Sequence, residues 1–175
     1  IYGRGRKEKK GVLEARVAER EGGGEGREGG RGGGEGKYGG EKGGEEGEDI
    51  VAADKREGGV FNLITHTLHT QGVSNTIVRV NDLEALEAAI RPNTKAVFVE
   101  TFGNPNSDVT NLDAVAEVAH RHNVPLIVDN TFATPYLLRP IEHGADVVVH
   151  SATKFLGGHG TSLGGIIVDG GTFDW

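Results

Sequence analysis

Between residues 75 and 169 the chain alternates short apolar runs with stretches of helical period, and this alternation restricts the fold more than any other feature. The runs are "NTIVRV" (75–80), "KAVFVE" (95–100), "PLIVDN" (125–130), "DVVVHS" (146–151) and "LGGIIVD" (163–169). Their nearly unbroken apolar, β-branched character suits strands covered on both faces, because a half-exposed strand alternates apolar with polar residues. Between them, "NDLEALEAAIRP" (81–92) predicts a short helix with Asn81 as cap, Glu84 three residues on, Leu83, Leu86 and Ile90 along one face, and Pro92 as its stop. "NLDAVAEVAHRH" (111–122) predicts a second, capped by Asn111, with the stripe Leu112, Val115, Ala116 and Ala119. A short helix within "PYLLRPIEHG" ends at His143 and Gly144, glycine accepting the left-handed conformation of a helix end. The pattern predicts an α/β domain, a mostly parallel sheet with helices on both faces.

Core candidates in residues 50–175 are Phe61, Leu63, Ile77, Val78, Val97, Phe98, Leu126, Ile127, Val147, Val148 and Ile166. Residues 21–48 are different, with 15 glycines, 8 glutamates and one aromatic, Tyr38. Ordering such a tract costs much backbone entropy and buries almost nothing apolar, so taken alone it is expected to be disordered or loosely held.

The formal net charge of −7 is spread out, with no basic stripe apart from "GRGRKEKK", so nucleic-acid binding is not expected. The 175 residues hold no cysteine, hence no disulfide or redox thiol. No apolar run approaches the roughly 18 residues of a membrane helix and no signal-like start is visible, which makes a cytoplasmic protein the expectation. His66 and His69, and His120 and His122, lack the HExxH spacing of a zinc site, and "GGHG" (157–160) lacks the acidic partner of a dinucleotide loop.

In parallel sheets ligands are held beyond the carboxyl ends of the strands. Those ends supply Glu100 and Asn104, then Asp129, Asn130 and Thr131, then Ser151, Thr153 and Lys154. Asp129 ends "PLIV", so its carboxylate is expected to be half-buried and to require a partner, such as a cationic ring N–H or a metal. Lys154 follows an apolar run among Ala152, Phe155 and Leu156, where desolvation would tune its amine for Schiff-base chemistry with an aldehyde. Ser151 and Thr153 alternate, so in an extended stretch both hydroxyls face one way and form a phosphate seat. Each group alone has a bland reading: a loop hydrogen bond, a surface lysine, a pair of caps. Together they match one cofactor that uses a lysine, an acid against a pyridine nitrogen and hydroxyl donors for a phosphate: pyridoxal 5'-phosphate.

"VDNTFATP" followed by "HSATKFLGGHG" resembles the Cys/Met-metabolism family of pyridoxal-phosphate enzymes, whose large domain is aspartate-aminotransferase-like. The resemblance spans residues 50–175. It implies that Lys154 carries the cofactor, Asp129 pairs with its pyridine nitrogen, Ser151 and Thr153 contact its phosphate, and Asn104 lies near its phenolic oxygen. Residues 1–20 align with the family's "YSR…NPT…LE" opening, so Tyr2 and Arg4 match the pair that reaches a neighbouring subunit's phosphate, implying a homodimer or homotetramer. In the tract 21–49 the family's phosphate cradle falls on "RGGGE", leaving Gly32 and Gly33 as backbone donors.

Two departures stand out. Glu57, in "REGGVFNL", occupies the position of the family's ring-stacking tyrosine, and an acidic chain offers no aromatic face. The Gly/Glu tract replaces apolar helix positions, at about 1.5–3 kcal/mol for each large side chain no longer buried, so it is expected not to be a functional native sequence, or the chain to be a damaged or incomplete copy. The family also has a smaller C-terminal domain with an arginine for the substrate's α-carboxylate, which has no counterpart up to Trp175. The reaction implied is γ-replacement, in which sulfide takes the place of an amino acid's γ-substituent, acetate in the favoured reading. Exchange for cysteine, γ-elimination, and a catalytically inactive fragment remain alternatives.

Overall fold

The computed structural model describes the backbone of residues 25–29 and, in full, residues 47–54 and 58–175. Seven strands form one sheet: β1 (Glu25–Gly29), β2 (Asp49–Ala53), β3 (Ser74–Val78), β4 (Thr94–Glu100), β5 (Leu126–Asp129), β6 (Val147–Ser151) and β7 (Gly165–Asp169). Their order across the sheet is β1-β7-β6-β5-β4-β2-β3. The pairs β3–β2, β2–β4, β4–β5 and β5–β6 are parallel, whereas β7 runs antiparallel to both β6 and β1. The expected mostly parallel α/β sheet is present, with an antiparallel margin.

The helices are α1 (Gly58–Asn62), continued by a π-turn at Leu63–Thr67 and a 3₁₀ turn at His69–Gln71, then α2 (Leu83–Ala89), α3 (Leu112–Arg121), α4 (Thr134–Leu137) and a 3₁₀ turn at Pro140–His143. Alternating strand residues feed two cores. Val97, Val99, Leu126, Val128, Val148, Ile166 and Val168 pack with Leu86 of α2 and with Leu112, Val115, Ala116, Val118 and Ala119 of α3. On the opposite face Ile50, Ala52, Ala96, Phe98, Ile127, Val147, Val149 and Ile167 meet Ile64, Leu68 and Val73. Each fully buried side chain of this size contributes about 1.5–3 kcal/mol, which is why an unbroken apolar run makes a central strand here.

Helix α3 follows its sequence closely. Asn111 caps it by accepting from the Ala114 N–H at 3.3 Å, and the expected stripe is buried. Gly144 ends the 3₁₀ turn at φ +85, where an added Cβ would stand 2.7 Å from the Ala116 Cβ. At α2 the cap is Asp82, which accepts from the Ala85 N–H at 3.0 Å, and not Asn81. Asn81 instead adopts φ +62, donates from Nδ2 to the Val109 carbonyl and accepts from the Asn111 N–H, so it fixes the entry to α3.

Other expectations are corrected. Phe61 and Ile77 are exposed, at 41% and 38%, because Ile77 lies on the edge strand β3 and α1 buries none of its residues. Within the glycine-rich tract, Glu25–Gly29 form β1, since ladder pairing with β7 uses backbone groups and requires no apolar side chain. Strand β2 was not among the expected runs; it begins at Asp49, which is fully buried and bonded to Ser74, Arg91 and Thr94. Among the described residues no helix is long and apolar enough to cross a membrane.

Candidate active site

The parallel strands β4, β5 and β6 end along one rim of the sheet. Glu100 is in register with Asp129, and Asp129 with Val149, so adjacent strands place these residues side by side, about 4.8 Å apart. Registered neighbours share a face, and so do residues two apart on one strand. Ser151, two beyond Val149, therefore lies on the same face as Asp129 and Glu100. It is the face of Ile127, Phe98 and Val149, opposite α2 and α3.

Asp129 is half-buried, as expected, and its Oδ1 accepts from the Thr131 N–H at 2.8 Å. Its own carbonyl accepts from the Thr101 N–H at 3.0 Å, which joins the ends of β4 and β5. Asn130 is fully buried: its Oδ1 accepts from the Thr101 hydroxyl at 2.8 Å and its Nδ2 donates to the Leu138 carbonyl at 2.9 Å. That residue is structural, holding the segment after β5 against the rim. The Ser151 N–H donates to the Thr131 hydroxyl at 2.7 Å, which joins β5 to β6.

After Ser151 the chain turns, so the extended alternation expected of Ser151 and Thr153 does not hold. The Thr153 hydroxyl faces Gly164 instead, donating to its carbonyl at 3.3 Å and accepting from its N–H at 3.1 Å. The cause is the antiparallel β7, whose first residue, Gly165, pairs with Ser151. The turn explains the glycines after the lysine: a Cβ at Gly157 would sit 2.6 Å from the Ala152 carbonyl oxygen, and Gly158 has φ +77. Lys154 is exposed on this turn and not desolvated.

Asn104 is exposed in the loop after β4. Phe102, Phe132 and Phe155, from the loops after β4, β5 and β6, form an edge-to-face series with centroids 6.3 and 5.2 Å apart. Sequence reasoning did not single out this series; its signal was one phenylalanine shortly after each strand end. Such pairs contribute about 0.5–1.5 kcal/mol each and fix the loops relative to one another. Tyr2, Arg4, Gly32, Gly33 and Glu57 lie outside the described residues.

The histidines have other roles. His120 Nε2 lies 2.8 Å from Asp146 Oδ2, and His122 Nε2 lies 2.6 Å from Glu87 Oε1. Among the described residues no group of three or more His, Asp or Glu side chains could hold a metal ion. The rim, by contrast, has the donor set that pyridoxal phosphate requires: a primary amine, a half-buried carboxylate, and a serine hydroxyl on the face of that carboxylate. These residues fit the cofactor.

The comparisons with known proteins bear on the family. The family model described as Cys/Met metabolism PLP-dependent enzyme matches residues 1–175. An O-acetyl-L-homoserine sulfhydrylase of Leptospira meyeri is 44% identical over 164 residues, 94% of this chain and 37% of that protein. An L-methionine gamma-lyase of Porphyromonas gingivalis is 50% identical over 123 residues, 70% of this chain and 31% of that protein. A crystal structure of an O-acetylhomoserine (thiol)-lyase from Campylobacter jejuni, containing N'-pyridoxyl-lysine-5'-monophosphate, superposes with a TM-score of 0.91 at 36% identity, over 94% of this chain and 40% of that one. The chain thus spans about two-fifths or less of the length of these relatives. A family match over all 175 residues, together with a TM-score of 0.91 to a solved relative, establishes that the chain belongs to the Cys/Met-metabolism PLP-dependent enzyme family.

Proposed function

We propose that the chain forms the cofactor-binding part of an enzyme that takes O-acetyl-L-homoserine and sulfide to L-homocysteine and acetate. The observation that carries this reading is the shared face of Asp129 and Ser151 at the ends of adjacent strands, with Lys154 on the turn that follows. When bound, pyridoxal phosphate supplies an electron sink that makes the Cα and Cβ protons of an amino acid labile. Lys154 holds the cofactor through Nζ and moves the proton at the substrate's Cα. Asp129 keeps a proton on the pyridine nitrogen, since a carboxylate beside it favours the charged ring. Ser151 and Thr153 contact the phosphate, and the bonds of Thr153 to Gly164 set the turn that presents Lys154. Asn104 would serve the phenolic oxygen, and Gly32 and Gly33 are the candidates for backbone donors to the phosphate. Tyr2 and Arg4 are the candidates for contacts to the phosphate of a second subunit, in a working unit that would be a homodimer or homotetramer.

The sulfhydrylase relative supports sulfide as the nucleophile, and the lyase relative supports γ-elimination as the runner-up, because the choice rests on the nucleophile and leaving-group pocket and not on this rim. The short span against those relatives and the exposure of Lys154 favour a second reading, a chain that binds the cofactor without turnover. The test is to load the chain with pyridoxal phosphate, supply O-acetyl-L-homoserine with sulfide, with cysteine or with neither, and assay homocysteine, cystathionine and 2-oxobutyrate. Homocysteine that depends on sulfide and is lost in Lys154→Ala supports the proposal. Cystathionine or 2-oxobutyrate as main product replaces it with a sister reaction, and cofactor uptake without any product supports the silent chain.

A further inference from the structure

We propose that Thr131 is a positioning residue that locks the ring-nitrogen acid and the phosphate-seat serine into one unit, so that the cofactor's two ends are held at a fixed separation before it binds. The inference rests on the pyridoxal-phosphate reading of the rim. Thr131 is half-buried just past β5 and uses its N–H and its hydroxyl within the site. Its N–H donates to Asp129 Oδ1 at 2.8 Å, orienting the carboxylate. Its hydroxyl accepts from the Ser151 N–H at 2.7 Å, at the last residue of the neighbouring strand. Beyond the Asp129–Val149 register pair the ladder between β5 and β6 has ended, although the Asn130 N–H still reaches the Val149 carbonyl at 2.9 Å. The threonine hydroxyl therefore replaces a backbone acceptor where the strands diverge and carries the coupling one step further, to Ser151.

A turn cap alone would need only one of these bonds. With both, displacement of Ser151 relative to Asp129 requires breaking a bond to Thr131, and a ligand that spans them meets a site already arranged, which lowers the ordering cost of binding. A threonine or serine at this position satisfies the requirement, and valine, which keeps the shape and the N–H, does not.

The test uses pyridoxine 5'-phosphate, which has the ring nitrogen and phosphate but no aldehyde, so that its binding is independent of Lys154. Calorimetric titration of the chain is expected to show affinity about tenfold weaker in Thr131→Val and within about twofold of wild type in Thr131→Ser, the loss expected for one hydrogen bond. Hydrogen exchange of the Ser151 amide in the unliganded chain is expected to accelerate about tenfold in Thr131→Val and to be unchanged in Thr131→Ser. The amides of Ile127 and Val128 report whether each variant is folded, and Thr131→Ala carries the same prediction if valine disturbs the strand. Equal affinity and equal Ser151 exchange in wild type and Thr131→Val overturn the proposal, as does a serine variant as weak as the valine one. If the wild-type chain takes up no probe, the cofactor reading fails and the proposal with it, whereas a wild type that binds alongside an unaffected Thr131→Val sinks the Thr131 role alone.

Discussion

The two rims of the sheet both present aspartates at strand ends, and they treat them differently. At the rim where the parallel strands begin, Asp49 is fully buried and accepts from Ser74, Arg91 and Thr94, while Asp146 is 3% exposed and accepts from the Leu126 N–H and pairs with His120. At the rim where they end, Asp129 is only half-buried, and Lys154, on the glycine-bounded turn after β6, is exposed. Lys95, at the opposite rim, pairs with Glu48 at 3.2 Å. The difference teaches how a sheet separates its uses of charge: at one edge carboxylates are buried and bonded inside the core, and at the other Asp129 is left partly exposed beyond a strand end, the position at which parallel sheets hold ligands.

Substitutions can sharpen or break this contrast. The largest effect on stability is expected from Asp49→Ala, about 3 kcal/mol by urea denaturation, since it strips the buried Thr94 hydroxyl and two further groups of their acceptor. Asp146→Ala should cost about 2 kcal/mol, leaving the buried Leu126 N–H unsatisfied. Neither should change the affinity for pyridoxine 5'-phosphate by more than about twofold if the starting rim is purely structural. Gly157→Ala is expected to lower the borohydride-trapped yield of pyridoxal phosphate on Lys154 through displacement of its turn, at about 1–2 kcal/mol of stability, because its Cβ would collide with the Ala152 carbonyl. Lys95→Ala should cost less than about 1 kcal/mol, as for other exposed ion pairs. A starting-rim variant that abolished ligand binding while remaining folded would erase the distinction between the two edges.

The sequence was most legible where structure is local. The α3 cap and stripe, the Gly144 helix end and the polar residues ending β4, β5 and β6 follow from spacing and residue type over a few positions. Strand direction is not local: "LGGIIVD" reads alike in either orientation, and only its antiparallel pairing brings Gly164 to Thr153 and ends the extended run after Ser151. Neighbouring candidates also compete, which is why Asp82 caps α2 while Asn81 serves α3. Backbone pairing accounts for β1, whose own residues, Glu25–Gly29, include no apolar side chain to announce it. The coupling through Thr131 was hidden for the same reason, since a strand-end threonine shows its partner only when β5 and β6 lie side by side.

The central claim is that the rim ending β5 and β6 is the cofactor seat, and the most direct measurement is to incubate the chain with pyridoxal phosphate, reduce with borohydride and map the modified lysines by mass spectrometry. The account predicts modification concentrated on Lys154, with Lys95 at the opposite rim essentially unmodified and the Lys154 signal suppressed by an excess of pyridoxine 5'-phosphate. Comparable modification of Lys95 and Lys154, insensitive to that competitor, would show only the reactivity of exposed amines and would contradict it.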